Sequence, residues 1–398
     1  MKTIVLALFV LFLAGCTQSQ LPVKKPITKQ TVQEKKPIKK QSIVKQETQK
    51  DFVQFKKFSK AHLKQIEFSE IDGFEADDLQ KALKVFVKDC RASKRKLLLR
   101  DVCKKAFEAD DAKEFFMNNF YIYKLLNKDG SDKGLITGYY EPILNGSLQK
   151  TKRFKYPIYK IPSNLITVDV TEFPQLKGMK IRGKVVGNKL VRYPERKDIP
   201  KEKNLKPICY VDDKIDLFFM HIQGSGKVKL QNNEIININY AAQNGRGYYA
   251  IGKALIKRKA LKKSEVSLQS IKKWLKEHPK EVDEILNLNK SYIFFEEGNK
   301  GATGALGIEL VANRNIAVDR RYIPLGLPVF IQTKNPVTKK DMNLLTVAAD
   351  VGGAIKGKIR ADFYFGSGDE AGQMAGVMKE KGKLIVLLPK GIVDAYNK

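Results

Sequence analysis

The chain has 398 residues and a net charge of +31, from 74 Lys and Arg against 43 Asp and Glu. That length supports two cored domains, and that charge suggests either an anionic partner or a basic proteome with no specific meaning. Nucleic acid is set aside as that partner: no basic helix is interleaved with base-stacking aromatics, and the N-terminus reads as an export signal.

Met1-Lys2 is a minimal positive region, and Thr3 to Leu13 is an apolar run too short to span a bilayer. It ends in Leu13-Ala14-Gly15-Cys16, which resembles the lipobox of bacterial lipoproteins. The resemblance implies a signal peptide over 1–15, cleavage before Cys16 and acylation of that cysteine. Thr17 is not the aspartate associated with inner-membrane retention, so the expected location is the periplasmic face of the outer membrane, reached through a lipid anchor. Residues 16–50 then read as the lipidated cysteine and a disordered basic tether, with nine Lys against two Glu from Leu21 to Lys50. Fully extended, the 34 residues from Thr17 to Lys50 reach roughly 110 Å. Residues 1–16 carry +1 and 17–50 carry +7 of the +31, leaving +23 on the part expected to fold.

Asp77-Asp78 opens a helix whose Leu79, Leu83, Phe86 and Cys90 share one face. A second helix is expected from Lys113 to Leu126, ending at the Asp129-Gly130 turn, and Leu135 to Tyr140 reads as a strand. From Pro142 to about Val211, short apolar runs alternate with Gly, Pro and Asn turns, as in a β domain. Ile215 to Leu230 reads as a buried strand, a glycine-rich turn and a returning strand. Helices follow near Ile251–Ile256 and Ser267–Lys276, and the last hundred residues return to strands at PVFIQT, LLTVAA, RADFYF and KLIVLLP. Cys90 and Cys103 lie close together in an exported chain, which makes them a candidate disulfide, while Cys209 reads as a buried thiol. With three histidines, His62, His221 and His278, and no Cys/His ligand spacing, neither a metal site nor a histidine triad has support.

The densest chemical signal is AADVGGAIKGKIRADFYFGSGDEAG, Ala348 to Gly372. Asp350 and Asp362 stand at strand ends on either side of a glycine-rich connection. Apolar strand sequence excludes unpaired carboxylates, because burying a charge is costly. Asp362, between Ala361 and Phe363, therefore either caps a turn or is kept for its proton, since burial favours the acid form near neutral pH. A second signal joins Ile222-Gln223-Gly224-Ser225-Gly226 to Tyr240–Tyr249, where amides, hydroxyls and aromatics among glycines suit sugar binding or ordinary loop chemistry. The Gly-Ser-Gly is not a phosphate-binding loop, because no Lys-Ser/Thr pair follows it and it lacks the GxGxxG spacing.

TGYYEP (Thr137–Pro142), IQGSG, YAAQNGRGYYAIGKALI, NKSYIFF (Asn289–Phe295), AVDRRYIPLG (Ala317–Gly326) and DVGGAIKG…ADFYFGSG occur in that order. The series resembles the membrane-bound lytic murein transglycosylase A family along nearly all of residues 70–390. What the resemblance implies is a mostly β, two-domain protein with peripheral helices. A double-psi β-barrel would be built from 51–142 plus 296–398, and a smaller β domain inserted at 143–295 would form the other wall of a glycan groove. It implies cleavage of peptidoglycan strands without a cofactor, with Asp362 as catalytic acid and base and Asp350 as its orienting partner; a monomer is the default expectation. Thr137, Tyr139, Gln223, Ser225 and Asn244 would line the groove. A glycan hydrolase using Asp350 or Glu141, and a non-catalytic peptidoglycan-binding lipoprotein, remain the competing readings.

Overall fold

The computed structural model describes residues 62–93, 96–176, 179 and 181–397. The expected signal segment, Cys16 and the tether lie outside the described residues. The chain opens with β1 (Leu63–Ile66), α1 (Leu79–Ser93), α2 (Arg100–Ala106) and α3 (Ala112–Asn119), then β2 (Phe120–Leu125) and β3 (Gly134–Glu141). The α1 side chains Leu79, Leu83, Phe86 and Cys90 are buried, as the spacing predicts. The Asp78 carboxylate accepts the Lys81 amide in its first turn. Beside it, buried Asp77 takes a two-pronged bond from Arg314, at 2.7 and 2.8 Å, and fastens the start of the helix to the core. Cys90 and Cys103 are disulfide-bonded, tying α1 to α2.

The expected helix from Lys113 to Leu126 is cut in two. It ends at Asn119, and Phe120–Leu125 is a strand paired on both sides, with β1 and with a late strand. FYIYKL is aromatic and β-branched, and the available sheet partners decide its state. Phe86, Phe115, Phe116 and Phe120 still form one cluster, with ring centroids 5.2–6.2 Å apart.

From β4 (Ile143–Ser147) the chain leaves the first sheet. It makes β5 (Tyr156–Tyr159), β6 (Ile166–Thr167), β7 (Arg182–Val186), β8 (Lys189–Arg192), β9 (Pro207–Val211), α4 (Lys214–Gln223), β10 (Gly226–Leu230) and β11 (Ile235–Gln243). Then come α5 (Gly252–Lys257), α6 (Leu268–Glu277), α7 (Val282–Asn287) and β12 (Ile293–Gly298). Six of these strands form a sheet in the order β12-β11-β10-β4-β9-β5, and β6-β7-β8 form a smaller one. The strand expected at Ile215 is instead the helix α4. Asp213 caps it through the Ile215 and Asp216 amides, and Gly224, at φ 88°, ends it in the left-handed region. Leu217 and Met220 pack into the sheet's core, while Ile215, Phe218 and Phe219 pack among α5–α7. Buried on both sides, the helix is apolar all round and loses the periodicity that would separate it from a strand.

The last segment, β13 (Asn315–Val318), β14 (Pro328–Lys334), β15 (Asp341–Asp350), β16 (Arg360–Ser367), α8 (Asp369–Val377), β17 (Lys379–Pro389) and α9 (Lys390–Asn397), returns to the first sheet. Its order is β1-β2-β17-β14-β15-β13-β16-β3, and β17 also pairs with β3. The six strands β17, β14, β15, β13, β16 and β3 therefore close on themselves as a barrel, in keeping with the mostly β fold expected. Cys209 is a buried free thiol whose pKa burial pushes up to about 12.

One buried acid has no part in any groove. Asp89 on α1 accepts a 2.9 Å bond from Asn315 Nδ2 on one oxygen, and its other oxygen has no partner. Burial, opposed by that bond and by Lys88, pushes its pKa to about 7. Between an ordinary carboxylate's pKa near 4 and about 7, the folded protein keeps a proton that the unfolded chain has released. This contribution to stability is complete below pH ~4 and is lost as pH rises through about 7. Asp89→Asn is expected to flatten the fall of Tm between pH 4 and 8, followed by thermal unfolding. An unchanged slope would show that Asp89 titrates normally.

Candidate functional site

Strand register brings the two predicted carboxylates into one row. On β16, Asp362 pairs with Ala317 of β13 on one side and with Thr137 of β3 on the other. Ala317 in turn pairs with Asp350 on β15. The row is thus Asp350, Ala317, Asp362, Thr137, and two strand spacings put about 10 Å of backbone between the carboxylates. Along β16, Ala361, Phe363 and Phe365 enter the barrel core, so Arg360, Asp362 and Tyr364 share the opposite face. On β3 the same alternation buries Ile136 and Tyr140 in the core and puts Thr137, Tyr139 and Glu141 on the face of Asp362.

The Thr137 hydroxyl donates to Asp362 Oδ1 at 2.5 Å and accepts from Arg360 Nη2 at 2.8 Å. With Oδ1 held as an acceptor, Oδ2 is the oxygen left to carry a proton. Burial pushes the Asp362 pKa up. The Thr137 bond and the Arg360 charge oppose that shift, and the Asp350 charge adds to it. The Asp350 pKa is also raised, again by burial. Its Oδ1 accepts the Ala305 and Val351 amides at 2.9 and 2.8 Å, which fix it in place and pull the other way. The buried Tyr139 hydroxyl lies in the field of both carboxylates without closing a well-shaped hydrogen bond to either, and its ring packs 5.1 Å from that of Tyr364.

The inserted segment reaches this row at two points. Gln223, the last residue of α4, accepts the Tyr140 amide through Oε1 at 3.1 Å. Tyr248, half exposed between β11 and α5, lies close enough for the Asp362 charge to add to the burial that raises its pKa. With Phe218, Phe219 and Ile222 it lines an apolar cavity of about 190 Å3. Ser225, half buried, stands between the Gly224 cap and β10.

Asn244 is placed differently from the others. It is fully buried, donates to the Pro194 and Lys290 carbonyls, and accepts the Tyr292 and Arg246 amides. Its amide is consumed by backbone groups, so it braces the loop that carries Tyr248 instead of facing a ligand. Glu141, the other acid considered, is 1% exposed, with Lys227 Nζ 3.4 Å from its carboxylate. Arg360 is a neighbour of Asp362 that the sequence reading missed, and Tyr248 lay within the Tyr240–Tyr249 signal without being singled out. The period-two spacing Arg360-Ala361-Asp362 was a usable signal for Arg360. Nothing local to Tyr248 announces Asp362. Among the described residues, no group of three His, Cys, Asp or Glu is arranged to hold a metal.

Two family models match the chain, the MltA specific insert domain over residues 135–296 and the 3D domain over 314–388. A membrane-bound lytic murein transglycosylase A homolog of Buchnera aphidicola is 35% identical over 295 residues, covering 71% of this chain and 73% of that protein. The crystal structure of MltA from Neisseria gonorrhoeae superposes with a TM-score of 0.74 at 36% identity, over 83% of this chain and 93% of that one. The E. coli MltA structure with bound chitohexaose gives 0.63 at 26% identity, over 79% and 90%. The order of motifs, the barrel with its inserted sheet and the relative matched over most of its length agree: the chain belongs to the membrane-bound lytic murein transglycosylase A family.

Proposed function

We propose that the protein is a lytic transglycosylase that cleaves the β-1,4 bond between N-acetylmuramic acid and N-acetylglucosamine in peptidoglycan. The observation that carries the reading is Asp362, a carboxyl with a raised pKa, one oxygen pinned by Thr137 and the other free. Protonated at Oδ2, it donates to the glycosidic oxygen as positive charge grows at C1 of the muramic acid. The resulting carboxylate then takes the proton of the C6 hydroxyl, which closes on C1 to give a 1,6-anhydro end. Thr137 and Arg360 stabilise that carboxylate between the two steps. General acid and base transfer of this kind contributes about 10²–10⁴-fold. The nucleophile belongs to the substrate, so no second carboxylate has to activate water.

The groove would lie between this row and the inserted segment, with Tyr139, Tyr248, Gln223 and Ser225 offering rings, amide and hydroxyl to sugars. A relative that binds chitohexaose supports a chain of N-acetylated sugars as ligand. Acylation at Cys16 and the basic tether would bring the enzyme to the wall from the outer membrane. Among the described residues no helix is long and apolar enough to cross a membrane.

Mass spectrometry of digested peptidoglycan tests the reading. Wild type is expected to release muropeptides about 18 Da lighter than hydrolysis products, as the anhydro chemistry requires. Asp362→Asn is expected to lose about 10²–10⁴-fold in rate. Reducing ends would make the protein a hydrolase, and binding without cleavage by either protein would make it a glycan-binding lipoprotein.

The pH profile separates the supporting residues. An acid must be protonated to act, so activity falls as pH rises past its pKa. Thr137→Val removes a bond that lowers the Asp362 pKa, so the alkaline limb of kcat/KM is expected to move to higher pH. Asp350→Asn removes a charge that raises it, so that limb should move down while a rate well above that of Asp362→Asn survives. A common direction for both variants, or complete loss in Asp350→Asn, contradicts these roles.

A further inference from the structure

Glu141 is buried on the Asp362 face of β3, and the mechanism above does not use it. It stands where the chain passes from barrel to inserted sheet, because β3 ends at Glu141 and β4 begins at Ile143. The chain returns beside the same residue: after β12 the Ala302 amide lies against the Glu141 carboxylate, with Gly301 adjoining. The Glu141 carbonyl accepts the Gly368 amide at 3.0 Å, holding the end of β16. From the inserted sheet, Lys227 on β10 places Nζ 3.4 Å from Glu141 Oε2 and donates to Ser367 Oγ of the barrel at 3.1 Å. Its own amide bonds the Pro142 carbonyl between β3 and β4 at 2.8 Å. Among the described residues this is the one ion pair joining the inserted segment to the barrel, and Glu141 Oε1 has no hydrogen-bond partner.

We propose that the Glu141–Lys227 pair is a latch at the double crossing of the chain, fixing the angle between barrel and inserted sheet and so the width of the groove in front of Asp362. Glu141 is then a positioning residue. The inference rests on the proposed function only in taking the groove as the site of cleavage. The other side-chain hydrogen bonds between the two parts, among them Asn239 to the Lys300 carbonyl, are uncharged. Gln223 meets the Tyr140 amide, and Gln269 of α6 donates to the Gly372 and Gln373 carbonyls of α8. The Gln269 bonds hold the inserted part away from the crossing, whereas the latch is the charged contact at the crossing itself, so that a rotation there carries Tyr248 relative to Asp362. The charged or titratable groups around the latch are Lys227 from β10, Glu309 from the return segment with its partner Lys88 on α1, and Tyr364 on β16, which feels both acids. Tyr364 packs on Tyr139, so the latch and the Asp362 row share a wall.

The test uses the full chain with spin labels at Leu148→Cys in the inserted part and Val337→Cys in the barrel, residues 62% and 58% exposed. The protein without these two changes supplies the background. Glu141→Gln is expected to broaden or shift the label-to-label distance distribution. It should also lower kcat on polymeric glycan roughly tenfold and raise KM, while leaving Tm nearly unchanged and the product ends those of wild type. A Glu141→Gln/Lys227→Gln protein, with no charge left unpaired, should recover part of both the distance and the rate. Unchanged distances with unchanged kinetics would overturn the latch. Loss to the level of Asp362→Asn with unchanged distances would also overturn it, making Glu141 a catalytic residue. The ends produced by wild type report on the transglycosylase reading separately, whichever way the distances fall.

Discussion

A hydroxyl has one proton to give, and where Thr137 gives it decides the state of the site. Arg360 donates to the Thr137 oxygen, so the Thr137 proton goes to Asp362 Oδ1. The direction of that relay depends on β3 and β16 lying in parallel register, with Thr137 opposite Asp362. A slip of one residue would turn either side chain into the core. The register depends in turn on closure. β17 pairs with β14 along one stretch, with β2 along another and with β3 along a third, so that β2 and β3 run in succession beside it. An open sheet would leave β3 an edge strand, free to fray at the place where the acid needs a fixed neighbour.

The same closure explains the insertion. β3 and β16 are adjacent and parallel, and a parallel pair needs a long connection to return the chain to the same end of the sheet. Here that connection carries a whole second sheet and four helices. A groove forms where the connection leaves and returns, because both passages occur at the end of β3. Two glycines make the turn from β16 into α8 possible there. Gly366 and Gly368, at φ 104° and 88°, occupy conformations that side chains resist, and Gly368 is the residue that bonds back to Glu141. The geometry in front of Asp362 is therefore built by backbone choices at the strand ends, and the side chains that would meet a sugar are hung on them.

Much of this was legible in the residues, unevenly and for physical reasons. Wherever one face was buried and the other wet, as in α1, α5 and α6, the period stood out and the elements fell near their expected places. Where both faces were buried the period vanished: α4 was read as a strand because Leu217 and Phe218 each find a core, on opposite sides. All of β2 falls inside the helix expected from Lys113 to Leu126, because local propensity cannot see β1 and β17 waiting as partners. The carboxylates of the site were legible as apolar-strand anomalies. That Asp350 and Asp362 share a row was not, since the row passes through Ala317, far from both in pattern if not in register. Asn244 misled because a buried amide bonded to four backbone groups and an amide facing a sugar have the same letter in the sequence.

Burial that tunes an acid for catalysis also weakens the fold, and the structure divides that cost among several places. Asp89, Glu141, Asp350 and Asp362 are all held above the ordinary carboxylate range, each chiefly by burial. Such groups are tolerated because the surroundings withhold full desolvation: Lys227 for Glu141, two backbone amides for Asp350, Thr137 and Arg360 for Asp362. Each of these partners stabilises the ionised form, so each limits how far the pKa can climb. An Asp362 with no partner would keep its proton to higher pH but yield it less readily, and one with a stronger partner would be ionised before it could donate and would make a weaker base. A single carboxyl that must first give a proton and then accept one needs a hydroxyl-strength neighbour, and a threonine backed by an arginine supplies it.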